Sequence, residues 1–190
     1  LGVVPKMMIV KNRDQAETWT VYSHMLGNTK YLIVNTTSAA VTTTNRWNDT
    51  DPDSVNFTLG DSTAVNVTGE ECIAYCFTPK QGYSRFGSYV GNGNDNGPCI
   101  YTGFQPGFLM IKNTGTTTDW DVYNDKCDGY QEDNRAVHPN NTNAEKHEPM
   151  NLLANGFKLR DTDANINTND VIYTYVAFAS APMVSVTDVP

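Results

Sequence analysis

The phrase GVVPKMMIVKN at residues 2–12 returns as GFQPGFLMIKN at residues 103–113. Both copies read Gly, two residues, Pro, then an apolar run closed by Lys-Asn, and the correspondence continues beyond them. Lys11 and Lys112, Trp19 and Trp120, Val21 and Val122, and Tyr22 and Tyr123 are each 101 positions apart. The offset becomes 105 where NTTSA (35–39) meets NNTNA (140–144), and 100 at Phe57 and Phe157. Small slips of this kind are what loop insertions leave when two units share strands but not connections. Both units also close on apolar runs ending near a proline, CIAYCFTP and YVAFASAP. A fold built twice is the expectation, each unit the size of a small domain.

The boundary is expected at Ser84, with a first β unit over 1–84 and a second over 85–190. The second has a lead-in, FGSYVGNGNDNGPCIYT, before its Gly-x-x-Pro phrase, and the first starts at Leu1 with none. The first unit is therefore expected to lack a leading strand, and the chain to be a piece of a longer protein.

Local pattern points to β structure. TWTVYSHM alternates, with Trp19 and Val21 on one side and Thr18, Thr20 and Tyr22 on the other; DWDVYND repeats this around Trp120 and Val122. Both tryptophans are expected to face a core. KMMIVKN, YLIVN, NFTLG, ECIAYCF, CIYTGF, FLMIKN, GFKLR and VIYTYVAFA read as further strands between Gly, Asn, Asp and Pro clusters. Helical hints occur only at NTTSAAVT and NTNAEKHEPMNLLA. With 21 Asn and 23 Thr, residues that suit turns and strands respectively, the fold class expected is all-β: two tandem duplicated antiparallel β-sandwich units.

Charge excludes some partners. Net charge is −8, and after Ser84 acidic residues outnumber basic ones 13 to 7, so the chain offers no basic footprint for nucleic acid. No apolar run approaches the roughly 20 residues of a membrane helix.

The chemistry-bearing residues form no familiar constellation. Cys72, Cys76, Cys99 and Cys127 have no metal spacing; Cys72 and Cys76 lie too far apart along a strand to bridge each other, so buried free thiols are expected, with a Cys99–Cys127 bridge as the alternative. DTDANINTND (161–170) alternates oxygen side chains like the start of a calcium loop. It has Ile166 and Ile172 where such a loop needs Gly and a bidentate Glu, so a polar hairpin loop is expected. GNGNDNG (91–97) reads as a flexible turn. His24, His138 and His147 belong to no triad or metal pattern, and Glu70 and Glu71, adjacent on a strand, face opposite ways. No catalytic, cofactor or metal residues are assigned. Five glycosylation sequons, at Asn35, Asn48, Asn56, Asn66 and Asn140, matter only in a cell that reads them.

GYSRFGSYVGNGNDNGPCIYTGFQPGFLMIKN, followed by DWDVYND, ANGFKLR and YVAFASAP, resembles a repeated, functionally uncharacterised domain of tail-fibre and other structural proteins of marine bacteriophages, including phages of cyanobacteria. The first unit, through LGVVPKMMIVKN, YLIVNTTSA, FTLG and IAYCF, resembles the other version of that repeat. The resemblance implies a virion component, extracellular in the particle, assembling with other virion proteins and as a homo-oligomer; it supplies no catalytic residues, and a bacterial host would leave the sequons unread. The alternative is a host-receptor or glycan-binding module, for which Tyr83, Tyr89 and Tyr130 would be exposed aromatics. The units diverge most after their second strand, SHMLGNTKYL against NDKCDGYQEDNRAV, so Lys126, Asp128, Tyr130, Asp133 and Arg135 form the expected contact loop.

Overall fold

The computed structural model describes residues 2–127 and 134–182. Among them every regular element is a β-strand and every pairing is antiparallel. The chain divides into two compact units, Leu1–Thr78 and Pro79–Pro190.

Unit one holds β1 (Met7–Asn12), β2 (Thr20–Ser23), β3 (Lys30–Ile33), β4 (Val41–Thr42) and β5 (Cys72–Phe77) in one sheet of order β4-β3-β2-β1-β5. Unit two holds β6 (Ser84–Val90), β7 (Cys99–Tyr101), β8 (Pro106–Asn113), β9 (Trp120–Asn124), β10 (Arg135–Ala136), β11 (Lys146–His147), β12 (Met150–Leu153), β13 (Gly156–Leu159) and β14 (Ile172–Ala179). They form a four-stranded sheet, β6-β14-β8-β9, a three-stranded sheet, β12-β13-β7, and the short pair β10-β11.

The repeated phrase occupies β1 and β8, and its surroundings correspond residue by residue. Met8 pairs with Tyr22 and Cys76; 101 positions on, Leu109 pairs with Tyr123 and Ala177. Val10 pairs with Thr20 and Ala74, and Ile111 with Asp121 and Tyr175. The same offset continues through the loop before the last strand: Val65 and Asn66 donate to the Ser62 carbonyl, and Ile166 and Asn167 to that of Asp163. It ends at residues with positive φ, Gly69 (83°) and Asp170 (58°). Gly2 (φ 78°) and Gly103 (φ 88°) open the two phrases, a left-handed turn that glycine adopts without a Cβ penalty.

The closing Lys-Asn has a definite task. Asn12 Oδ1 accepts from the amides of Asp14 and Gln15, and Asn113 Oδ1 from those of Gly115 and Thr116. Their amide nitrogens donate to the carbonyls of Thr63 (3.1 Å) and Ala164 (2.9 Å). Each buried asparagine thus ties the hairpin turn to the loop before the final strand. The lysines brace the same turn, Lys11 through the Gln15 carbonyl and Lys112 through the Thr118 carbonyl, both at 2.8 Å.

The cores differ in how they are covered. In unit two, Leu109, Ile111, Tyr123, Tyr173 and Tyr175 of one sheet meet Ile100, Met150, Leu152, Phe157 and Leu159 of the other in a single cluster. In unit one, Met8, Val10 and Tyr22 meet Trp47, Phe57, Leu59, Ala64 and Val65, which lie outside any strand. NFTLG, expected as a strand, is therefore irregular, whereas its counterpart GFKLR carries β13. β13 hydrogen-bonds to β12 on one side and β7 on the other, and no strand among the described residues pairs with NFTLG.

Other expectations are corrected by the faces of these strands. Tyr22 and Tyr123, not the tryptophans, point into the core clusters. Trp120 is still buried, but Trp19 is 37% exposed and lies beside Tyr75, with near-parallel rings 6.5 Å apart. Tyr89 is buried against Tyr173, its hydroxyl donating to the Ile166 carbonyl; only Tyr83 of the described pair is exposed. The cysteines are free as expected but not buried: Cys72, Cys99 and Cys127 are exposed and Cys76 half-buried. The two helical hints contain strands instead, β4 in the first and β11 and β12 in the second.

Candidate functional site

Asp128, Tyr130 and Asp133 of the expected contact loop lie outside the described residues. Lys126 is exposed and pairs with Asp125 at 3.0 Å; Arg135, in β10, faces Glu145 at 3.8 Å. The two described members thus have separate partners. What distinguishes this region is the root of the loop, where unit two buries a set of ionisable groups that unit one does not share.

The root is built from β9 outward. Alternation along DWDVYN puts Asp121 on the same side as Tyr123, facing the core. Val122 bridges to Val137, which brings the segment after the loop alongside β9. His138 then sets Nδ1 2.9 Å from Asp121 Oδ1 and 3.2 Å from the Trp120 carbonyl. β10 pairs with β11, and Glu148, just beyond, donates its amide to the Asn134 carbonyl. Asp121 and Glu148 are both fully buried.

Asn165, from DTDANINTND, joins them. Its Nδ2 donates to Asp121 Oδ1 (3.2 Å) and Glu148 Oε1 (3.3 Å), and its Oδ1 accepts from the Asp119 amide. Tyr123 OH donates to Glu148 Oε2 at 3.2 Å. Lys146 reaches in from solvent, with Nζ 2.5 Å from both Glu148 Oε1 and Asp163 Oδ2. The alternating oxygens of DTDANINTND are therefore committed: Asp161 Oδ1 accepts from the amides of Thr162 and Asp163, Asp163 Oδ1 from that of Asn165, and Asn167 Oδ1 from that of Asn92. No three metal-ligating side chains converge among the described residues.

Electrostatics follow from burial. Desolvation, then the hydrogen bond and charge of Asp121, push the Glu148 carboxyl up to about 9, against the pull of Lys146. At neutral pH Glu148 is a carboxylic acid. Its hydrogen bond to Asp121 shares that proton between the two buried carboxyls. The hydrogen bond to Asp121 outweighs burial at His138 and raises its imidazole to about 9, so it stands there as a cation. Desolvation pushes Lys146 down, and its bonds to Asp163 and Glu148 more than offset this, leaving an ammonium. The arrangement is a clamp: two closed charge pairs and one shared proton fastening residues 134–148 to β9.

One family covers almost the whole molecule: a domain of unknown function, DUF7483, matches residues 1–182. The chain belongs to this family. The match spans both units, so DUF7483 is a description of the pair and not of either unit alone. No curated protein and no solved structure matches the chain.

Proposed function

We propose that this chain is a structural module of a bacteriophage virion, a fibre, appendage or surface component built from two tandem copies of one antiparallel β-sandwich unit and assembling with other virion subunits. One observation carries the reading. A constant 101-residue offset holds through three strands, two strand registers, the turn asparagines and the loop bonds of both units. Conserving a scaffold in duplicate, down to its internal hydrogen bonds, suits a spacer or building block. The buried carboxylates of unit two fit the same role, since they hold a loop root. The resemblance of both units to repeated domains of phage structural proteins supplies the setting.

The test is to purify the particles and examine them by mass spectrometry and cryo-EM. Density for both units at regular positions supports the proposal, and absence of the chain from intact particles overturns it. A second reading, a glycan-binding module, is favoured by the exposed Trp19–Tyr75 pair, since aromatic faces stack on sugar rings. Under that reading Trp19→Ala abolishes retention on host glycans with folding intact; unchanged retention sinks it.

A further inference from the structure

Lys146 stands between two carboxyls that are held in place independently of it. Its Nζ lies 2.5 Å from Glu148 Oε1 and 2.5 Å from Asp163 Oδ2. Asn165 positions both acids: its amide donates to Asp163 Oδ1 at 2.8 Å and its Nδ2 to Glu148 Oε1 at 3.3 Å. The backbone of Asp163 is fixed as well, because its carbonyl accepts from Ile166 and Asn167 at 3.1 and 2.7 Å. Lys146 is set by β11, opposite the fully buried Ala136. An amine and a carboxyl carbon thus face each other from two anchored segments 17 residues apart.

Glu148 makes the group more than an ion pair. Its side chain is fully buried, and Tyr123, which donates to its Oε2, belongs to one apolar cluster with Met150 and Ile166. A carboxyl desolvated beside a second carboxyl, Asp121, keeps its proton. The side chains of Lys146 and Asp163 are 47% and 27% exposed, so a water molecule released between them has a way out. A nucleophile, an electrophile and a protonated acid in contact are the set that condenses an amine with a carboxyl. Groups held in this way react as if at roughly 10⁵–10⁸ M, which brings within reach a condensation that is negligible between free partners in water.

We propose that Lys146 and Asp163 join through an intramolecular amide from Nζ to Cγ, a cross-link made by the folded chain itself with Glu148 as the proton relay. The Lys146 ammonium first passes a proton to Asp163, leaving a neutral amine against a carboxylic acid. The Nζ lone pair forms the C–N bond at Cγ while Glu148 protonates the carbonyl oxygen, and Glu148 then takes the surplus proton from Nζ. One Cγ–O bond breaks with a proton from Glu148, releasing water, and the remaining hydroxyl returns a proton to Glu148 as it becomes the amide carbonyl. Glu148 ends as it began, and no oxidant or co-reactant is consumed. The bond fastens β11 to the loop before β14 and limits how far the unfolded chain can part them. Unit one has Ser62 in the place of Asp163 at the same 101-residue offset, so it has no carboxyl there to react. The chemistry is independent of the virion setting proposed above.

Intact-mass measurement of the whole chain, kept folded near neutral pH and then denatured, reads the bond directly. The expected mass is one water below that of the sequence. A tryptic digest should yield a species in which residues 136–158, uncut after Lys146, are joined to the segment beginning at Asp161. Lys146→Arg and Asp163→Ala should each restore the full mass. Glu148→Gln keeps both reacting residues and removes the relay, so it too should restore the full mass while hydrogen exchange at Leu109 and Ile111 reports an intact fold. The proposal is overturned if the folded wild-type chain has its full sequence mass. It is overturned equally if the water loss survives Lys146→Arg, which would make it an aspartate closing on its own backbone, or if the cross-link forms undiminished in folded Glu148→Gln.

Discussion

Asn113 shows how much one side chain can hold. It is fully buried, accepts from two turn amides, and donates to the Ala164 carbonyl and, at 3.3 Å, to Tyr173 Oη. Asn113→Ala strips partners from buried groups on two loops at once, and each buried group left unsatisfied costs about 1–3 kcal/mol. We expect a clear fall in the midpoint of chemical denaturation for unit two. Asn113→Asp, which keeps the acceptor for Gly115 and Thr116 and loses the donor to Ala164, should also destabilise, because it buries a charge facing a carbonyl. A midpoint unchanged by the alanine variant would show that water replaces the side chain. Lys112 is as buried as its neighbour, and desolvation lowers its ammonium to about 8. The Lys-Asn pair could be seen in sequence as a repeated phrase, but its task could not, since the bond from Asn113 to Ala164 spans 51 residues.

Strands were legible where alternation and turn residues agree. β1, β5, β8, β9 and β14 fall where MMIVKN, CIAYCF, GFLMIKN, DWDVYN and IYTYVAFA place them. The failures have physical causes. NFTLG and GFKLR have nearly the same pattern, yet among the described residues only the second is a strand: pattern does not say whether a hydrogen-bonding neighbour is present, and GFKLR has β12 and β7. TWTVY alternates correctly, but alternation does not say which side is buried, and large aromatics stand on both. Tyr22 won the inner place through its edge contact with Trp47, a residue 25 positions away. The clamp of unit two was the least visible feature. Asp121, His138, Glu148 and Asn165 come from four separate segments, and each reads as an ordinary surface residue on its own. The one available clue was that Asp121 shares a strand face with Tyr123. The contact loop is an expectation drawn from divergence between units, and Asp128, Tyr130 and Asp133 lie outside the described residues.

Among the described residues, the shifted groups that titrate between about pH 5 and pH 7 act in opposite directions in the two units. Folding raises Glu148 from its ordinary 4.5 to about 9 and His138 from 6.5 to about 9. Between those values the folded state keeps protons that the unfolded chain has released, so both contributions are complete at low pH and are lost as pH rises. Unit one has Thr20 in the place of Asp121, and its half-buried His24 imidazole behaves in reverse. Desolvation lowers His24, so its contribution is complete above 6.5 and is lost as pH falls through its folded value. Lys112, lowered to about 8, starts to titrate above neutral pH and works against the fall there, and the raised cysteine thiols titrate only on its alkaline side. Going from about pH 5 to about pH 7, unit two should therefore lose stability while unit one gains it. Hydrogen exchange, corrected for its intrinsic pH dependence, reads this directly: protection should fall at Leu109 and Ile111 and rise at Met8 and Val10. Glu148→Gln, whose amide can donate to Asp121 without titrating, should remove the part of the fall below pH 6.5 and leave the part belonging to His138. Protection moving the same way in both units would refute the assignment, and a fall in unit two unchanged by Glu148→Gln would place the shared proton elsewhere.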